Sequence, residues 1–104
     1  MTLNDIKYLI AAVDPASRHY FSESKSRDYT YWEETRRLNT RADDRYADEA
    51  WRFYIHRYTK DPSDGIASAL EAVLDADERI AFSHTSDFDR DTGYIHHIFE
   101  CEGI

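Results

Sequence analysis

His84, His96, His97 and Cys101, toward the C-terminal end of the sequence, are side chains of the types that hold transition metals, since imidazole and thiolate are both zinc ligands. Spacing removes most of the pairings. In an extended chain, neighbours point to opposite faces, which separates His96 from His97, and four residues of strand put about 13 Å between His97 and Cys101. His84 with His97 is the one pair placed to share an ion, and no third ligand accompanies it, so two histidines packed in or beside the core are expected and no metal. Cys101 can also be paired with a histidine as a nucleophile. Three residues from the end of the sequence it is instead expected to serve as a small buried hydrophobe. Asp87, Asp89 and Asp91 alternate as calcium-loop carboxylates do, yet Thr92 stands where that loop needs glycine and Ile98 where it needs the closing glutamate. A hairpin turn is the expectation there. Glu33, Glu34, Asp43 and Asp44 are candidates for acid and base in a hydrolase, but they lie in a charge-rich stretch without a pocket signature. No phosphate-binding loop, dinucleotide fingerprint, HExxH or GxSxG pattern is present, so the sequence implies neither an enzyme nor a cofactor.

Aromatic residues are the less ordinary feature. Tyr 8, Phe 5 and Trp 2 make up 14% of the chain, and around residue 54 they fall on both faces of one alternating run. Trp51, Phe53 and Ile55 make one face, and Arg52, Tyr54, His56 and Tyr58 the other. The first suits a core. The second has the tyrosine and arginine content of protein interfaces, and equally suits a half-solvated sheet face on which tyrosines lie flat.

The elements that must position these groups follow from periodicity. Ile6, Leu9, Ile10 and Val13 form one helical stripe behind a capping-box pair, Thr2 and Asp5, and Asp14-Pro15 stops the helix. The aromatic and β-branched runs 19–24 and 28–33, around Lys25-Ser26-Arg27, predict a hairpin, and the charged stretch 34–49 predicts a surface loop. Residues 50–60 predict a strand. Asp61-Pro62-Ser63-Asp64 then predicts a helix start, with Asp61 as cap and Pro62 in the first helical position. The stripe Ile66, Leu70, Val73 and Leu74 carries that helix to 75–78, and a strand begins at Arg79, giving a strand, helix, strand unit with a right-handed crossover if its strands are parallel. Gly93 supplies a hairpin loop over 90–93, and that register sets Phe82 opposite Cys101 and His84 opposite Phe99. It also puts Ile80 and Phe82 on the same face as Ile95 and Phe99, ready for a helix to cover. The fold class is α+β, with a mixed sheet of about five strands and two helices in the order α-β-β-β-α-β-β.

With 104 residues, one domain spanning 1–104 is expected; at this size roughly 65% of the unfolded surface is buried, so self-association is reasonable. Lys+Arg 13 against Asp+Glu 21 leaves a net charge of -8, which disfavours binding to nucleic acid through its phosphates. The apolar stretch 8–13 has no basic region before it and no cleavage site after it, so a signal peptide is not expected, and nothing approaches the ~20 apolar residues of a membrane span. A lone cysteine fits a reducing cytoplasm.

The run Tyr29-Thr30-Tyr31-Trp32-Glu33-Glu34, then Ala42-Asp43-Asp44, then Trp51-Arg52-Phe53-Tyr54-Ile55-His56-Arg57-Tyr58-Thr59-Lys60 ahead of a helix, resembles the tail terminator or tail completion (head-tail joining) proteins of long-tailed bacteriophages. The resemblance spans residues 3–100 and rests on the order and spacing of these pieces. It implies a small α+β protomer that forms a ring, typically a hexamer, on the end of the tail tube, where it stops tube growth and meets the head connector or adaptor. DNA then passes through the lumen without specific binding, and the protein resides in the virion after assembly in the host cytoplasm. Arg52, Tyr54, His56 and Tyr58 become interface candidates, with Asp43 and Asp44 as a second contact or lumen element. An acidic lumen that repels DNA agrees with the charge. The rival from another class is a small acidic inhibitor that mimics DNA and fills a basic cleft, for which Asp43, Asp44, Asp48 and Glu49 would cluster with the 87–91 loop. A metal-dependent enzyme using His84 and His97 is a third reading.

Overall fold

The computed structural model describes residues 1–20, 28–38 and 50–104, with backbone only for 36–38. Helix α1 (Leu3–Val13) starts on a reciprocal cap, the Asp5 amide donating to Thr2 Oγ1 at 3.1 Å and the Thr2 amide to Asp5 Oδ2 at 2.8 Å. Its stripe buries Ile6 and Ile10, and Asp14 closes it just before Pro15. Strands β1 (Arg18–His19), β2 (Tyr29–Leu38), β3 (Ala50–Thr59), β4 (Ile80–Phe88) and β5 (Ile95–Gly103), with helix α2 (Gly65–Ala76) between β3 and β4, complete the expected order. They form one mixed sheet, ordered β1-β2-β3-β5-β4.

Near the N-terminal side two expectations give way. Among the described residues the run beginning at His19 does not pair with the next as a hairpin would: β1 lies parallel to β2, pairing Arg18 with Tyr31 and His19 with Trp32. Tyr20 then turns the chain away at a φ of +70°, its amide still donating to the Trp32 carbonyl at 2.6 Å. The rest of that run, 21–24, lies outside the described residues. Nor does the strand from Tyr29 end at Glu33. It continues to Leu38, through what the charges suggested was loop, because a register shift between Glu34 and Arg36 re-phases it against β3. At this sheet edge the charged side chains find partners: Glu34 takes bonds from His19 Nε2 at 2.8 Å and the Tyr20 hydroxyl at 2.7 Å.

Helix α2 starts one turn later than Pro62 suggested. Its cap is Asp64, whose carboxylate accepts from the Ala67 amide at 2.9 Å, while Asp61-Pro62-Ser63 forms a preceding turn in which the Ser63 amide donates to Asp61 Oδ1 at 2.8 Å. The reason is Arg57, whose Nε and Nη2 hold the two oxygens of Asp64 at 2.9 and 3.1 Å and so fix where the helix begins. Strands β3 and β4 are parallel, as the crossover requires, but β5 lies between them and pairs antiparallel with both. The hairpin register is as expected, with Phe82 opposite Cys101 and His84 opposite Phe99. Gly93, at φ +78°, closes the turn by donating to the Asp89 carbonyl at 2.8 Å, and Asp89 Oδ1 accepts from the Asp91 amide at 2.9 Å. The aspartates of the loop thus serve the turn.

Both helices contribute to one face of the sheet. Ile6, Ile10, Leu70 and Leu74 pack with Trp32, Phe53, Ile55, Phe99 and Cys101 into a buried core, and Ile80 and Phe82 close its edge. Burial pushes the Cys101 thiol up to about 12, so it stays protonated and inert. Toward the other end of the same face the core turns polar around Arg57, only 5% exposed, which also reaches Thr30 Oγ1 at 3.3 Å and carboxylates of Asp14 and Asp28 at 3.7 and 3.8 Å.

Candidate interface on the outer face of the sheet

Alternation on the central strand sends Phe53, Ile55, Arg57 and Thr59 inward and Arg52, Tyr54, His56 and Tyr58 outward. Pairing then decides what surrounds the outward set. Tyr29 lies opposite Tyr58, Tyr31 opposite His56 and Glu33 opposite Tyr54 on β2, while β5 places His96 beside Tyr58, Ile98 beside His56 and Glu102 beside Arg52. The four candidates are therefore brought together, inside a larger aromatic layer.

Ring geometry in this layer is stacked. Tyr58 lies 4.1 Å from His96 and 4.8 Å from Tyr29 between centroids, and Tyr31 lies 4.5 Å from His56. Tyr94, just ahead of β5, meets Tyr58 edge-on at 82°, with Lys60 Nζ 5.0 Å from its ring centroid. Contacts of this kind contribute about 0.5–1.5 kcal/mol each beyond the area they bury. Tyr54 stands at the margin, its nearest ring being His56 at 6.3 Å. Hydrogen bonds tie the layer together. His56 Nδ1 lies 2.9 Å from His96 Nε2, His56 Nε2 lies 3.2 Å from Glu33 Oε1, and the Tyr31 and Tyr58 hydroxyls are hydrogen-bonded to each other.

Burial keeps Tyr31, Tyr58, His56 and His96 uncharged at neutral pH. Burial, with the neighbouring Tyr58 and Glu33, raises Tyr31 well above an ordinary phenol, and burial raises Tyr58 too. Burial also lowers His56, against the opposing pull of Glu33, and burial with the adjacent His56 lowers His96 to about 4. Charge lies around them, in the Glu33 carboxylate against His56, in Lys60 and in the Arg52 guanidinium bonded to Glu102. A neutral aromatic centre with a charged rim is the anatomy of a protein contact surface.

The other candidates fall elsewhere. Asp43 and Asp44, with Asp48 and Glu49, lie outside the described residues. His84 and His97 do meet, on the helix-covered side, but with His84 Nε2 2.9 Å from His97 Nδ1 the two nitrogens are bonded to each other, and His84 Nδ1 lies 3.2 Å from Glu71 Oε1. Among the described residues, no three or more His, Cys, Asp or Glu side chains gather as a set that could hold a metal. Cys101 sits in the core, apart from both. Sequence reasoning missed Tyr29, Tyr31, His96 and Tyr94 as parts of the layer. The alternation Tyr29, Tyr31, Glu33 was visible, but not its register against a strand that begins only at residue 50.

No protein-family model matches the chain, and no curated protein matches it. Among solved structures, it is similar to a chain of one described as "Virion of native gene transfer agent (GTA) particle", with a TM-score of 0.50 and 15% identity, over 90% of this chain and 81% of that one. The likeness is one of fold. At that identity the arrangement of helices and strands carries over, while contact residues and role do not.

Proposed function

We propose that this chain is a non-catalytic structural protein of a phage-like virion, acting as a tail terminator or head-tail joining component. In this reading copies assemble as a ring at the end of the tail tube, between tube protein and head connector, with DNA passing through the lumen. The observation that carries it is the fold shared, over 90% of the chain, with a chain from a gene transfer agent virion. The ring is the more specific step. It draws on the sequence resemblance and on the aromatic outer face, which no helix covers among the described residues and which has the composition of a subunit contact.

The test is mass by light scattering and native mass spectrometry across a wide concentration range, with and without magnesium, followed by negative-stain imaging and incubation with purified tail tubes. A closed ring, or a monomer that caps tubes and halts their growth, is the expected result. A chain that stays monomeric, ignores tubes and retrieves a basic nucleic-acid-binding protein from lysate in a salt-sensitive way would overturn it in favour of the acidic mimic.

A further inference from the structure

His96 and His97 are neighbours in sequence and point to opposite faces of β5, and each is bonded to a second histidine that is itself bonded to a glutamate. On the outer face the chain of contacts runs His96, His56, Glu33; on the helix-covered face it runs His97, His84, Glu71. Both nitrogen-to-nitrogen distances are 2.9 Å, and both glutamate contacts are 3.2 Å. The first set ties β5 to β3 and β2. The second ties it to β4 and α2.

Each bond has a proton requirement. With the glutamates accepting from His56 Nε2 and His84 Nδ1, the facing nitrogens, His56 Nδ1 and His84 Nε2, carry lone pairs that accept from His96 Nε2 and His97 Nδ1, an assignment that follows from the bonding network. One added proton per pair is tolerated, because it enters at the far nitrogen of His96 or His97 and leaves the shared bond in place. A second must enter at the accepting nitrogen, which ends the bond and sets two cations in contact.

We infer that the two histidine pairs form an acid-sensitive catch, which holds the start of β5 from both faces at neutral pH and releases the turn end of the β4–β5 hairpin when both rings of a pair are protonated. The outer pair is faced by Glu33 and Tyr31 of β2, Tyr58 of β3 and Asp87 of β4; the covered pair by Arg57 of β3 and by Asp64 and Glu71 of α2. Carboxylates as a type titrate about two units below imidazoles and phenols about three above, so histidine is the group that changes charge between pH 6.5 and 5. Burial, which lowers His56, His96 and His97, sets the direction. Groups lowered in the closed state and released to 6.5 in the open one favour opening as pH falls below 6.5. The chain as a whole predicts the reverse, because its charge of -8 shrinks toward a pI of 4.9 and self-repulsion weakens.

Hydrogen exchange at the amides of residues 95–98, corrected for the intrinsic pH dependence, tests this together with the side-chain carbon resonances of the five histidines. The opening constant of the full chain is expected to rise by more than about tenfold between pH 6.5 and 5, with His56, His96 and His97 titrating below 6.5 in the closed state. The double variant His96→Gln/His97→Gln should lose that rise. Should it fail to fold, His56→Gln and His84→Gln, which each remove one pair, should each lower the slope. An opening constant flat in the wild type, or a slope unchanged in the variants, would overturn the catch.

Discussion

Arg57 is the residue on which the ends of α1, β2 and α2 converge, through Asp14, Asp28 and Asp64. A guanidinium on the covered face of the central strand is tolerable because all these partners are carboxylates and Thr30 takes a further N–H. Replacing Arg57 by Met leaves carboxylates together with no cation among them, so about 3–5 kcal/mol of stability should be lost, read from urea midpoints. A midpoint within experimental error of wild type would show the cluster to be solvated in solution. Asp64 adds a pH signature. Burial pulls its carboxyl up, but the bonds from Arg57 and the Ala67 amide outweigh this and hold it below its ordinary 3.8. Its contribution is therefore complete above pH 3.8 and is lost as pH falls through the lowered value. Asp64→Asn keeps the helix cap and removes the charge, so this variant should be the less stable at pH 7 and should lose less than wild type on further acidification below 3.8. Parallel pH profiles for the two chains would refute that reading of the ion pair.

Among the elements, the β4–β5 hairpin has its geometry set locally. Gly93 sits at φ +78°, where an L side chain is strained although no atom lies within 4 Å of the Cβ it would carry. Gly93→Ala should therefore cost about 1–2 kcal/mol from backbone conformation alone, and Gly93→Asn less, as measured by thermal unfolding. Equal effects of the two would point to a steric cause. The same locality explains what was legible. A short loop with a glycine fixes register, so the placement of Phe82, His84, Phe99 and Cys101 could be read from sequence, as could the α1 stripe and both faces of β3. What escaped reading depends on distant partners. The start of α2 is set by Arg57, the course of β2 beyond Glu33 by a register shift against β3, and the parallel placement of β1 by its pairing with Tyr31 and Trp32. The candidate surface was half legible for the same reason: Arg52, Tyr54, His56 and Tyr58 follow from alternation, whereas Tyr29, Tyr31 and His96 join them only through pairing across strands.

For the whole molecule, the ring reading asks a chain of charge -8 to meet copies of itself, and two opposed terms decide whether it does. Aromatic contact favours association. Tyr54 at the margin of the layer is the side chain to remove first, since its nearest ring is 6.3 Å away and its loss leaves the Tyr58 stacks in place. Tyr54→Ser, alone and with Tyr58→Ser, should weaken assembly by about 2 kcal/mol or more per contact, a shift of tenfold or more in the concentration at which rings form, with the circular dichroism spectrum nearly unchanged. Charge opposes association, and salt weakens that opposition: screening shortens the reach of charge from about 30 Å at 0.01 M to about 3 Å at 1 M. Rings held by a neutral aromatic centre between acidic copies should thus form at lower protein concentration as sodium chloride rises, which light scattering at a series of salt concentrations measures directly. Assembly that salt dissolves would mean that oppositely charged patches hold the copies together. The Arg52 and Glu102 margin would then replace the tyrosines as the place where the contact is made.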